Sequence, residues 1–550
     1  MIRQIVEREL PSRTVMFSTP RSTRIAALVI LGVISALEPS RAFASDIVAP
    51  GAAARQSALQ QGKSATRKAP AKRKKVVRRA AAPAAPVGPA WTAPHGVAAL
   101  AADLNELIGR RVRSGKFAAM VVSLTRGDTL LSRSADEMMQ PASTMKLFST
   151  AVALDRFGPE HTFSTDVMRD GPMGADGTVQ GNLYLRADGD PSMSARFFKD
   201  PNLPMATLAQ AVAAAGVKKF TGDLIYDASA FDDRKIPEGW KTSYLGASYA
   251  ARVSALSLNE NLVWVVVSPA GKVAQVTLEP VTTTIPMHSD VRVVNGKGGR
   301  ISAHRTSDGS ISVSGSIGSL SGPLRYSLVV EDPALFTAGA LQAALQNVGI
   351  TGTGTVRSAK VPSTATKVAS LGSPPLSEIV SEMNRESINI VAELLFRDAS
   401  RATATDGVAG ADAGLANLRD FLGKKVGADP QAIRVFDGSG LSTLDYVTPR
   451  TMVQLLSYAH KGPWSSAFHG SLPVAGESEL LRKRMRGTPA EGNLHAKTGT
   501  TNTVIGLGGF VTAKDGEIMA FSFIYNGNDR WNAKAAMDAM GATLANFVRE

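Results

Sequence analysis

Cysteine is absent from the 550 residues, which excludes disulfides and any thiolate-held metal. Histidine is scarce, at 7. No H-E-x-x-H and no G-x-S-x-G occurs, so a zinc peptidase and a Ser-His-Asp hydrolase on a nucleophile elbow both lack their patterns. No apolar run is long enough for a confident membrane span. Acidic residues are sparse at one end only. Residues 1–95 hold 16 Lys/Arg against 4 Asp/Glu, about +12 of the formal +14, which leaves the remainder close to neutral.

That N-terminal region reads as an export and linker segment. Arg21 and Arg24 precede an apolar run at 25–37, followed by Ala42-Phe43-Ala44. A basic flank, a short hydrophobic segment and a small-residue site predict a secretory signal over residues 1–44, cleaved after Ala44, with Met16 as a second candidate start. The chain is therefore expected to be exported to the periplasm. Residues 45–95 form an Ala/Pro/Lys/Arg tract too poor in large apolar residues to fold, and read as a disordered, self-repelling tether. Its basic run from Lys63 to Arg79 suits peripheral contact with an anionic membrane or an acidic wall polymer, or serves only as a solvated spacer. Nucleic acid is a poor partner for an exported chain. Gly62-Lys63-Ser64 imitates the end of a phosphate loop, but Ser57 replaces the first glycine and no strand precedes it.

The chemistry-bearing stretch is Pro141-Ala142-Ser143-Thr144-Met145-Lys146, a polar turn opening an Ala-rich apolar run. Ser143 and Lys146 are three apart, on one face of a helix one turn from each other. A serine nucleophile needs such a neighbour when its general base is a lysine of lowered pKa. Free N–H groups at the helix start can hold a developing oxyanion. Composition alone gives a chain this long roughly one or two S-x-x-K matches, so the weight lies in its company. Ser387-Ile388-Asn389 stands between two helical patterns, and Lys497-Thr498-Gly499-Thr500 stands on a strand with two more strands after it. A second S-x-N, Ser257-Leu258-Asn259, precedes a strand and lacks the helix-loop-helix setting. Phe436 to Ser442 is a Gly-rich loop before a helix capped at Thr448-Pro449, read either as a turn and cap or as part of the cleft.

Around these motifs the texture alternates. Residues 96–165 read as helix, hairpin and helix, and 166–359 as a β-rich insert with a smaller module nested near 270–325. Residues 360–550 read as helices followed by three strands and a final helix. The expected fold is α+β and multidomain, an antiparallel sheet with a helical subdomain interrupted by the insert.

S-x-x-K, S-x-N and K-T-G in this order are the signature of penicillin-binding proteins and serine β-lactamases. With the long insert and the Asp437–Ser442 loop, residues 97–550 resemble the class C low-molecular-mass penicillin-binding proteins. These are D-alanyl-D-alanine carboxypeptidase/endopeptidases of peptidase family S13, of the penicillin-binding protein 4 type. The resemblance implies a transpeptidase/β-lactamase-like fold and catalysis by Ser143, Lys146, Ser387 and Asn389. It implies substrate binding by Lys497, Thr498, Gly499 and Thr500, and an oxyanion hole from the backbone N–H groups of Ser143 and Thr500. It implies peptidoglycan peptides as substrates, β-lactams as inhibitors, and neither cofactor nor metal. Two other readings stay open, a serine β-lactamase and a catalytically idle wall-binding protein on the same fold. The basic tether is not part of the resemblance.

Overall fold

The computed structural model describes residues 90–404 and 406–550. The signal segment and the basic run from Lys63 to Arg79 lie outside them. Among the described residues no helix is long and apolar enough to cross a membrane.

Strands from both ends of the chain build one five-stranded antiparallel sheet. Its order is His495–Thr500, Val504–Thr512, Ile518–Asn526, Lys116–Ser123, Thr129–Arg133. Alternation sends neighbouring side chains to opposite faces, and here both faces are dry. Phe117, Ala119, Val121, Phe521, Phe523 and Tyr525 join the helices Val97–Arg111 and Arg530–Ala545 in one core. Ala118, Met120, Phe510, Ala520 and Ile524 join the helical part in another. This explains why Val504–Thr512 is buried at every position but its last. A strand covered on both sides reads as a continuous apolar run rather than an alternating one.

The helical part is centred on Lys146–Phe157, whose residues from Lys146 to Leu154 are all buried. Around it pack Leu376–Glu386, Asn389–Asp398, Ala411–Phe421 and Pro449–Lys461. The last begins as expected, with Thr448 accepting the Thr451 N–H and proline at the first helical position.

Between Phe157 and Leu376 the chain makes a separate core. A mixed sheet runs Val356–Ser358, Leu224–Asp227, Leu183–Ala187, Ser164–Arg169, Thr366–Gly372, with the helices Leu203–Ala214 and Pro333–Asn347 against it. A six-stranded sheet occupies residues 262–329.

Three boundaries differ from expectation. Ser164–Arg169 pairs antiparallel with Thr366–Gly372, so both strands belong to the insert's sheet, though residues 164–165 and 366–372 were expected in the flanking parts. Residues 90–95, expected at the end of the disordered tether, are docked. The Thr92 N–H donates to Thr543 Oγ1 at 3.0 Å, Val548 N–H to the Pro94 carbonyl at 3.1 Å, and Trp91 packs on the sheet's outer core. One tryptophan and a few backbone bonds suffice to pin this short segment.

A buried ion cluster ties insert to helices. Arg397, 1% exposed, pairs with fully buried Glu393 at 3.0 Å and with Asp232 of the insert at 2.9 Å. Replacing Arg397 by methionine strands the Glu393 carboxylate in the core. The expected cost is about 3–5 kcal/mol, seen as a lowered urea midpoint.

Candidate active site

Ser143 lies on a single 3-10 turn, Ala142–Met145, and Lys146 is the first residue of the helix that follows. Ala142 enters the turn at φ 47°, a left-handed conformation that non-glycine residues seldom adopt and that collects at functional sites. The strand His495–Thr500 lies against this turn. A Cβ on Gly499 would come 2.7 Å from the Pro141 carbonyl oxygen and 3.3 Å from the Ser143 nitrogen. Glycine is what lets the two backbones meet.

Lys146 is fully buried. Its amine donates to Ser143 Oγ at 3.1 Å, Asn389 Oδ1 at 2.6 Å and the Ser439 carbonyl at 2.8 Å. Ser387 closes the helix Leu376–Glu386 in the left-handed conformation, φ 59°, and Asn389 opens the next helix. This tight reversal places both side chains in the cleft. Lys497, also fully buried, donates to Ser387 Oγ at 2.9 Å and to the Thr498 carbonyl at 3.0 Å. The structure thus brings the five together as two hydrogen-bonded sets, Ser143–Lys146–Asn389 and Ser387–Lys497, close enough for the two amines to act on each other. Ser257 and Asn259 lie elsewhere, buried in the insert's turn at 257–262.

Burial pushes the Lys146 amine down to about 7, opposed by the carboxylates of Asp437, Glu393 and Asp445. Desolvation, rather than the charge of Lys497, is therefore the main cause. Lys497 is itself pushed well below the ordinary lysine value, by burial first and then by the charge of Lys146. Among the described residues no carboxylate forms an ion pair with either amine.

Two backbone groups complete the cluster. By strand alternation the N–H groups of residues 496, 498 and 500 point away from the neighbouring strand, and Ala496 gives its own to the Pro473 carbonyl. The Thr500 N–H therefore faces the open edge, on the side where Gly499 touches the Ser143 turn. Two contacts escaped the motif reading. The Ser439 carbonyl comes from the Gly-rich loop, and the Tyr249 carbonyl of the insert accepts from Asn389 Nδ2 at 2.8 Å. The loop offered a signal in its glycines and aspartate. The Tyr249 carbonyl offered none, because a backbone acceptor leaves no residue-type pattern.

A serine hydroxyl and a buried amine one turn apart, beside an antiparallel sheet and opposite a helix pair, give the chain the layout of an α+β hydrolase. The chain belongs to the D-Ala-D-Ala carboxypeptidase 3 (S13) family, whose model matches residues 98–547. It is 35% identical over 449 residues to a D-alanyl-D-alanine carboxypeptidase of Actinomadura sp. (strain R39), covering 78% of this chain and 81% of that one. It is 25% identical over 438 residues to the D-alanyl-D-alanine carboxypeptidase DacB of Haemophilus influenzae, covering 77% and 88%. The crystal structure of penicillin binding protein 4 (dacB) from Haemophilus influenzae superposes with a TM-score of 0.65 at 22% identity, covering 79% of this chain and 98% of that one. A second structure of that protein, complexed with a β-lactam, superposes at 0.60 and 23%, covering 77% and 93%. The chain is thus a peptide hydrolase, a D-Ala-D-Ala carboxypeptidase by family.

Proposed function

We propose that the chain removes the terminal D-alanine from peptidoglycan stem peptides, and cleaves D-Ala cross-links, through an acyl-enzyme on Ser143. The observation that carries this is the buried Lys146 amine, brought to about 7 and 3.1 Å from Ser143 Oγ. A base works best when its pKa lies near the working pH. In the acylation step Lys146 takes the Ser143 proton while Oγ bonds to the carbonyl carbon of the penultimate D-alanine. The N–H groups of Ser143 and Thr500 receive the oxyanion, a contribution of about 3–4 kcal/mol per donor in other serine hydrolases. The C–N bond then breaks, and Ser387 passes a proton to the departing D-alanine amine. Asn389 holds Lys146 and meets the substrate amide. Water hydrolyses the ester and restores Ser143.

Lys497 sets the substrate end. A fully buried amine whose described partners are one hydroxyl and one carbonyl has unused donor capacity, and an arriving anion favours its charged form. The terminal carboxylate of a stem peptide supplies that anion, with Thr498 and Thr500 as further donors. β-Lactams carry the same carboxylate beside a strained amide, so they acylate Ser143 and leave slowly. Glu393, the nearby buried acid, has both oxygens engaged, by Arg397 and by the Gly438 N–H at 2.6 Å. It is therefore poorly placed to activate a deacylating water. The wall location of the substrate fits an exported chain. The interrupted layout, a catalytic part with residues 164–372 inserted, is the domain arrangement we propose.

Incubation of the full chain with a pentapeptide ending in D-Ala-D-Ala is expected to release free D-alanine. Penicillin is expected to give one long-lived adduct, mapping to the peptide that contains Ser143. Rapid turnover of a chromogenic cephalosporin without an adduct would select the β-lactamase reading, and absence of both activities the idle scaffold.

A further inference from the structure

The loop from Phe436 to Asp445 carries more buried acid than a turn requires. Asp437 and Asp445 are both fully buried there, and Glu393 approaches from the helix behind. The two oxygens of Asp437 collect four donors. Oδ1 accepts the N–H groups of Ser439 at 2.9 Å and Gly440 at 2.5 Å. Oδ2 accepts the Ser442 N–H at 2.7 Å and the Trp240 indole N–H at 2.5 Å. Each of these four contacts is one that a carboxylate oxygen accepts.

Trp240 is 8% exposed and belongs to the inserted region. Its neighbours reinforce the join. Ser442 Oγ donates to the Glu238 carbonyl at 2.7 Å, and Thr443 Oγ1 to the Gly239 carbonyl at 3.1 Å. On the other side, Ser149 Oγ of the serine helix donates to the Gly438 carbonyl at 2.6 Å. A Cβ on Gly440 would lie 1.9 Å from the Ala142 carbonyl oxygen, and Gly440 sits at φ 79°. The loop is therefore clamped between the insert and the turn that bears Ser143. What it presents to the cleft is the Ser439 carbonyl, on the Lys146 amine.

We propose that Asp437, fixed by the Trp240 indole of the insert, is a positioning residue for Lys146, folding the loop so that the Ser439 carbonyl holds the base beside Ser143. The inference rests on Lys146 being that base. Asp437 also acts through its charge. Burial alone would carry the lysine lower than about 7, and Asp437 is first among the groups that oppose it. The other charged or titratable groups facing Lys146 are Glu393 from the helix Asn389–Asp398, Asp445 from the same loop and Lys497 from the strand. Asp445 is driven well above the usual carboxylate range by burial and by Asp437, and it is the last of the three acids that oppose the fall of Lys146. Burial, partly offset by Arg397, raises Glu393 to about 7. Asp437 is thus the acid of this group whose oxygens collect the most donors, and the first of those that hold the lysine up. This gives the insert a catalytic consequence through Trp240 without its touching substrate.

The test follows acylation of the full chain by penicillin, by intact mass, from pH 5 to 9. Parent, Asp437→Asn and Trp240→Phe are compared, each with its melting temperature. An asparagine presents an NH2 where the carboxylate accepts at one oxygen, and it removes the charge. Asp437→Asn is expected to lose 10- to 100-fold at the plateau and to move the acid limb down by about one pH unit. Trp240→Phe keeps an aromatic ring but removes the indole N–H, and is expected to lose several-fold at the plateau. A purely structural role lowers the melting temperature and leaves the limb in place. An acylated parent whose folded Asp437→Asn variant keeps the parent limb overturns the inference alone. If Asp437→Asn does not fold, Trp240→Phe acylating at the parent rate overturns it. A parent that penicillin never acylates defeats the proposed function itself.

Discussion

The Ser143→Ala chain is expected to take up no penicillin at all and to lose at least about 10⁴-fold in D-alanine release. The size follows from what is removed. Orientation, oxyanion donors and carboxylate recognition all survive the change, but the bond-forming oxygen does not, and a water must replace it without a base aimed at it. The fold is expected to tolerate the change. Ser143 is only part-buried, and its hydroxyl is one of three partners of the Lys146 amine. Asn389 Oδ1 at 2.6 Å and the Ser439 carbonyl at 2.8 Å remain to hold that amine. Lys497 keeps Ser387, so a peptide ending in D-Ala-D-Ala should still bind without being cleaved. Intact-protein mass spectrometry after penicillin, free D-alanine release and a melting curve check the three parts together. An adduct that persists on the alanine chain places the nucleophile elsewhere and removes the basis for the proposed roles.

Much of this site was legible in the residues because its chemistry is locally encoded. Ser143 and Lys146 are neighbours by helical geometry alone, and Ser387-Ile388-Asn389 sits on the short link that the two flanking apolar stripes predict. The strand assignments around Lys497 followed from alternating and continuous apolar runs, which depend on neighbours a few residues away. What escaped depends on distant pairing or on backbone atoms. Thr366–Gly372 looked like the return into the helical part, but its partner Ser164–Arg169 is some two hundred residues back, and nothing local announces that choice. The docked residues 90–95 were hidden in a Pro/Ala-rich composition in which a single Trp91 carries the packing. Trp240 belongs to no motif, and Asp437 stands in a loop that reads equally as a turn or as part of the cleft. Only their 2.5 Å contact gives them meaning. Lys497 reads from its motif only as a substrate-binding residue. The surroundings make both amines reluctant cations, each desolvated by the same closed cleft.

That closed cleft sets the remaining prediction, the dependence of acylation on pH. The reactive form is neutral Lys146, which can accept the Ser143 proton. An amine near 7 is largely protonated below that pH and largely free above it. The acylation rate of the native chain should therefore climb about tenfold per unit below pH 7 and flatten above pH 8, the opposite sense from a reaction needing a protonated acid. Glu393 titrates in the same range, so the observed midpoint belongs to the coupled pair rather than to Lys146 alone. Lys146→Met separates the two. It keeps a long apolar side chain at the buried position while removing the base, and should lower acylation by about 10²–10⁴-fold. The rise through pH 7 should disappear with it, because Glu393 contacts neither Ser143 nor the cleft and spends its oxygens on Arg397 and the Gly438 N–H. Stopped-flow or quenched mass measurements of penicillin acylation on both chains would show this. A methionine chain that retains the native limb would mean that some group other than Lys146 takes the serine proton.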